Sequence, residues 1–164
     1  MTSDVLALHE RFMREALQEA HLALRDAEVP VGAVVVVDEV IVGRGHNQRQ
    51  RLPDPTAHAE VLALRQAAQS LGQWQLTAAT LYVTLEPCIM CMGAAVLSRI
   101  RGLVFGCQDP KAGACGSQFD ILGMARLNHT FPIMRGVCEG EARALLRGFF
   151  QTLRRRGGRV VEGG

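Results

Sequence analysis

An α/β fold is predicted for this chain of 164 residues: a three-layer α/β/α sandwich around a mixed five-stranded sheet. Three observations predict it. Apolar residues recur at helical spacing in several segments, and short Val- and Leu-rich runs of strand length lie between them. From residue 57 onward, helices and strands alternate, which is the pattern of crossover connections. At 48% hydrophobic and 21% charged, the chain can bury a sizeable core and is not a disordered polymer.

From about Asp4 to Ala27, residues Val5, Leu8, Phe12, Ala16, Ala20 and Leu24 fall at helical spacing, with Ser3 as the candidate cap. VGAVVVVD and VIVGRGHN then read as two strands of a hairpin joined near Asp38-Glu39. The unbroken valine run suggests a strand buried on both faces. After the proline-containing loop RLPDPT, the segment AHAEVLALRQAAQS reads as a helix with Thr56 as its cap. LYVTL is a strand. PCIMCMGAAVLS is a short helix with Pro87 near its first turn, where a missing N–H costs nothing. LVFGC is a further strand, FPIMRG a weaker one, and a last helix runs from about Gly140 to Leu153. Residues 1–156 are expected to form one domain, with the Gly-rich stretch 157–164 as a flexible tail.

Charge is nearly balanced, 18 Lys plus Arg against 16 Asp plus Glu, which neither demands nor excludes a nucleic-acid partner. No apolar run approaches the roughly 18 residues of a membrane span, and the charged amino terminus lacks a signal-peptide core. The chain is therefore read as cytoplasmic, where thiols stay reduced. Its five cysteines (Cys88, Cys91, Cys107, Cys115, Cys138) form no disulfide framework, so metal binding or catalysis is the better use for some of them.

Four residues concentrate the chemistry: His58 and Glu60 in TAHAEV, and Cys88 with Cys91 in EPCIMC. Cysteines at i and i+3 share a helical face, so both sulfurs can reach one tetrahedral zinc at about 2.3 Å. A first helical turn also favours the thiolate forms. His58 would be a third ligand, leaving one position open, as catalytic zinc sites do. Two thiolates cancel the charge of Zn2+, so an added base is needed, and Glu60 is the candidate. Because i and i+2 do not share a helical face, His58 and Glu60 can converge only if His58 sits at an irregular helix start. A fourth ligand from Cys107, Cys115, His46 or His129 would instead close the site. Glu86, just before the Pro-Cys turn, could orient the metal loop or simply be solvated. H-x-E followed about thirty residues later by P-C-x-x-C is the pattern of zinc nucleobase deaminases.

With these motifs the chain resembles the cytidine deaminase-like superfamily, and within it the bacterial tRNA-specific adenosine deaminases of the TadA type. The matching stretches are EVPVGAVVV, GHN, DPTAHAE, TLYVTLEPCIMCMGA, FGCQDPKAGACGS and the pair Phe149-Phe150 followed by arginines. The resemblance implies hydrolytic, zinc-dependent deamination of adenosine to inosine at the wobble position of a tRNA anticodon stem-loop, within a homodimer. It implies one Zn2+ per subunit on His58, Cys88 and Cys91, with Glu60 as proton shuttle. Asn47 matches a base- and ribose-positioning asparagine. Asp109 and Lys111 fall in a loop contacting nucleotides beside the target, and Asn128, Phe149, Phe150 and Arg154 match positions lining the RNA surface. Cys107-Gln108 stand where relatives often carry a small residue followed by Arg. Phe149 and Phe150 could also simply anchor their helix to the core, and Arg154–Arg156 could be a solvated helix end. Two alternatives stay open: a guanine, cytosine or free-nucleoside deaminase on the same scaffold, and a zinc-stabilised RNA-binding module without catalysis.

Overall fold

The computed structural model describes residues 2–124 and 126–157; the expected tail beyond Gly157 lies outside the described residues. In chain order the elements are α1 (Ser3–Arg25), β1 (Gly32–Val37), β2 (Val40–His46), α2 (Ala59–Leu71), β3 (Thr80–Leu85), α3 (Ile89–Leu97), β4 (Gly102–Cys107), β5 (Ile133–Met134) and α4 (Glu139–Arg155). The strands form one five-stranded sheet in the order β2–β1–β3–β4–β5. β1 pairs antiparallel with β2 and β3, whereas β3, β4 and β5 run parallel. The sheet is therefore mixed, as predicted.

Alternation along the strands builds a core on each face of the sheet. Val34, Val36, Tyr82 and Val104 pack with Phe12, Met13 and Ala16 of α1. Ala33, Val35, Leu81 and Val83 pack with Ala63, Leu64 and Ala67 of α2, together with Met92 and Ala95 of α3. β1 is buried along nearly its whole length because both neighbours and both faces are covered. Asp38 and Glu39, both at positive φ, make the two-residue hairpin turn whose twist suits the flanking strands. Gly45 is required by close approach, since a Cβ there would stand 2.4 Å from the Ala59 carbonyl oxygen of α2.

Three local expectations are corrected. Thr2, not Ser3, caps α1: its hydroxyl accepts from the Val5 amide at 3.3 Å. Thr56 does not cap α2, because its amide and hydroxyl are both spent on Asp54 Oδ1; the N-cap position is His58. The parallel strands β4 and β5 are joined by residues 108–132, where no helix forms among the described residues. The earlier parallel strands are joined by helices: α2 carries the chain over β1 from β2 to β3, and the short α3 joins β3 to β4.

Candidate active site

The site is built from two helix starts. His58 has extended backbone (φ −79°, ψ 150°) and precedes α2, and Cys88 (φ −77°, ψ 178°) precedes α3. Neither makes a side-chain capping bond, so both side chains are released toward one point. His58 Nδ1 lies 3.7 Å from Cys88 Sγ and 3.5 Å from Cys91 Sγ. All three ligand atoms fall within 4.8 Å of one another. Zinc–sulfur and zinc–nitrogen bonds of about 2.3 and 2.0–2.1 Å at the tetrahedral angle require an N···S edge of about 3.6 Å, so the donor set fits zinc. None of the candidate fourth ligands joins this group among the described residues, although His46 Nε2 is buried without a partner. His46 Nδ1 meets Glu19, His129 Nε2 meets the Ile100 carbonyl, Cys107 Sγ donates to the Thr84 carbonyl and Cys115 Sγ to Met92 Sδ.

Because His58 precedes the helix, Glu60 in the first turn of α2 reaches the same point. Its side chain is buried and its carboxylate meets the Cys91 thiol, while Oε1 has no hydrogen-bond partner among the described residues. Burial pushes the Glu60 carboxyl up to about 7, against the opposing pull of His58. The two thiols are unequal. Cys88 is drawn down to about 4, first by the hydrogen bond from Cys91 and also by His58, and Cys91 is pushed up by that same partnership and by burial.

Asn47, at the end of β2, is 1% exposed. Its Oδ1 accepts from the Ala59 amide at 2.9 Å, and its Nδ2 is buried without a partner among the described residues. A donor and an acceptor atom, Asn47 Nδ2 just after β2 and Glu60 Oε1 in the first turn of α2, are thus both left unsatisfied among the described residues. Buried polar atoms are seldom left so in a native fold, which points to a ligand they would meet.

Beyond the ligand cluster, α4 and the loop after β4 enclose a groove of about 450 Å3. Gln108, Asp109, Pro110 and Lys111 form one wall; Arg143, Arg147, Phe150 and Arg154 form the other, with Val29, Leu85 and Cys107 at the floor. Asp109 does not project freely from this wall, since its Oδ1 accepts from the amides of Lys111 and Ala112 and shapes the turn. The phenylalanine pair divides its work. Phe150 lines the groove, whereas Phe149 turns into the core and is 9% exposed. Of the two roles weighed for the pair, Phe149 takes the anchoring one, because adjacent positions on a helix point about 100° apart. Asn128 is exposed in the β4–β5 connection and does not line the groove.

Two features escaped the sequence reading. Arg143, Leu146 and Arg147 extend Phe150 and Arg154 into a stripe at i, i+3, i+4, i+7 and i+11, which the sequence does display. Glu28 gave less signal: it is buried, and its carboxylate accepts from the amides of Gln50 and Arg51, pinning the loop that links Asn47 to His58.

A MafB19-like deaminase family model matches residues 7–154. The tRNA-specific adenosine deaminase of Bacillus subtilis strain 168 is 46% identical over 147 residues, covering 90% of this chain and 91% of that protein. Its namesake in Haemophilus influenzae is 47% identical over 146 residues, covering 88% and 84% of the two chains. A structure solved in work on A-to-I editing by tRNA wobble-position deaminases superposes with a TM-score of 0.81 at 43% identity, covering 83% of this chain and 99% of its own. A guanine deaminase from Nitrosomonas europaea superposes at 0.74 with 25% identity, covering 85% of this chain and 83% of its own. Matched over nearly its whole length by such relatives, the chain belongs to the tRNA-specific adenosine deaminase family on the cytidine deaminase-like fold.

Proposed function

We propose that the protein hydrolytically deaminates adenosine to inosine at the wobble position of a tRNA anticodon, with one Zn2+ per subunit held by His58, Cys88 and Cys91. The observation that carries this reading is the buried Glu60 carboxylate, with an unpartnered oxygen, beside a three-residue ligand group. When bound, zinc supplies a Lewis acid that makes water a competent nucleophile near neutral pH.

This chain's own residues do the rest. Glu60 takes a proton from the attacking water, hands it to N1 of the adenine, and then assists protonation of the C6 amine. Water adds at C6, the C6–N bond breaks, and inosine and ammonia result. A carboxyl raised to about 7 suits both directions of transfer, and positioned proton transfer is typically worth about 10²–10⁴-fold. Asn47 Nδ2 is a donor toward the nucleoside, held in place because its Oδ1 is fixed on Ala59. Anticodon-loop bases are already unpaired, so inserting one costs little. Phe150 offers an aromatic face to the groove, and Arg147, Arg154 and Lys111 suit phosphates.

The homodimer is part of the same proposal. Trp74 (62% exposed) and Leu97 (70% exposed) flank an apolar depression that Val61, Leu64 and Ala94 also line, and Ile89 is exposed between the two cysteine ligands. A second copy covering this face would dry both the face and the ligand turn. No helix among the described residues is long and apolar enough to cross a membrane, and a tRNA substrate would be met in the cytoplasm. Incubation with total tRNA, followed by sequencing for adenosine-to-inosine changes, tests the reading. Conversion confined to wobble adenosines is expected; ammonia release from free bases without tRNA conversion would replace it with a free-base deaminase.

A further inference from the structure

We infer that Glu86 is a positioning residue that sets the loop wall of the groove against the metal-binding turn, and so governs RNA engagement. The inference rests on the proposed tRNA reading and extends it to a residue outside the ligand group and the proton shuttle. Glu86 ends the segment that leads directly into Pro87 and Cys88, and it is 2% exposed. Its Oε1 accepts from the Asp109 amide at 3.1 Å and from the Ser117 hydroxyl. Its Oε2 accepts from the Cys115 amide at 2.9 Å and the Ser117 amide at 3.2 Å. Both oxygens are thus spent on one segment, residues 109–117, whose first residues form a wall of the groove.

Backbone contacts reinforce the junction. The Glu86 amide donates to the Cys107 carbonyl at 2.8 Å, and the Ala114 amide donates to the Pro87 carbonyl at 2.8 Å. Gly113 lies so close that a Cβ there would stand 2.3 Å from the Glu86 carboxyl carbon. Residues 109–117 have no helix and only an isolated bridge, Cys115 to Asp120; Asp109 shapes their first turn, and the Glu86 carboxylate is the buried side chain that ties both ends of the segment to the metal-binding turn. A buried carboxylate saturated by loop donors, directly before the Pro-Cys turn, ties the metal-binding turn to the wall of the groove. Losing it would leave the ligands in place and let the wall drift.

The test compares Glu86→Gln, Ser117→Ala and Gly113→Ala with the wild type, measuring zinc content, thermal melting, and kcat and KM on a wobble-adenosine anticodon stem-loop. In Glu86→Gln the new amide group faces two donors, so half of the cradle is lost. Expected is full zinc occupancy with KM raised tenfold or more and kcat changed less than threefold. Ser117→Ala should raise KM about threefold, and Gly113→Ala, which forces a methyl against the carboxyl, should resemble Glu86→Gln. If Glu86→Gln does not fold, the other two variants decide. Unchanged KM in every folded variant would overturn the inference, as would zinc loss with unchanged KM, which would place Glu86 in service of the metal alone. A wild type that converts no stem-loop would overturn the tRNA reading and this inference together, an outcome distinct from both.

Discussion

The side-chain carbonyl of Asn47 accepts a 2.9 Å hydrogen bond from the backbone amide of Ala59, so a residue twelve positions upstream caps the start of α2. The residue in the N-cap position, His58, is committed to the ligand group and makes no such bond. Asn47 thereby holds the helix that presents Glu60 while its own Nδ2 remains available. In the proposed reaction, substrate contact and site geometry are joined in one amide.

Asn47→Ala is expected to lower stability by about 1–2 kcal/mol, the usual cost of a lost cap. Asn47→Asp keeps an acceptor for Ala59 at a helix N-terminus that favours negative charge, and should recover most of that loss. It removes the Nδ2 donor, so its turnover on the stem-loop should stay low. Thermal melts beside steady-state kinetics check the pair; full activity in Asn47→Asp would remove the donor role.

Glu60→Gln should lose activity by about 10²–10⁴-fold and yet stabilise the metal-free protein at neutral to alkaline pH. The folded carboxyl is raised from 4.5 to about 7, so folding loses stability as pH rises from 4.5 through 7. At pH 8 the neutral amide should recover up to about 3 kcal/mol, falling to nothing near pH 4.5. Melting of chelator-treated protein across that range reads the sign.

Zinc uptake at pH 8 should release about one proton from the ligand thiols. Cys88 is already a thiolate, drawn down to about 4, while Cys91 keeps its proton until a metal displaces it. A pH-indicator titration counts the protons. Chelation should also lower Tm, because the ion binds only the folded ligand set.

Glu19 predicts a separate acid limb. The hydrogen bond to His46, with Arg44 adding, holds its carboxyl below the usual 4.5. A depressed folded value gives stability that is present above 4.5 and lost as pH falls through the folded value. Glu19→Gln should cost about 1–2 kcal/mol at pH 7, with the gap to wild type closing in acid. A gap independent of pH would assign the cost to packing instead.

Binding of the stem-loop should weaken steeply with salt. Arg147→Ala and Arg154→Ala should each reduce the log–log slope by roughly 0.7, the value for one single-strand phosphate contact. Arg143 is tied to Glu139 at 2.6 Å and should change the slope less. Fluorescence anisotropy over a salt series separates them.

Sequence alone predicted the alternation of helices and strands and singled out the residues that could hold a metal, because motif spacing along the chain marks each. An unbroken valine run marks the doubly covered β1, Cys88 and Cys91 lie one helical turn apart, and two residues place Glu60 beside His58 once a helix begins between them. Tertiary structure decided what depends on remote segments meeting. Asn47 finds Ala59, Glu86 gathers residues 109–117, and helix rotation sends Phe149 inward and Phe150 toward the groove. Local periodicity fixes which way a side chain faces; only the packing of distant backbone fixes which amide or carboxylate it then meets.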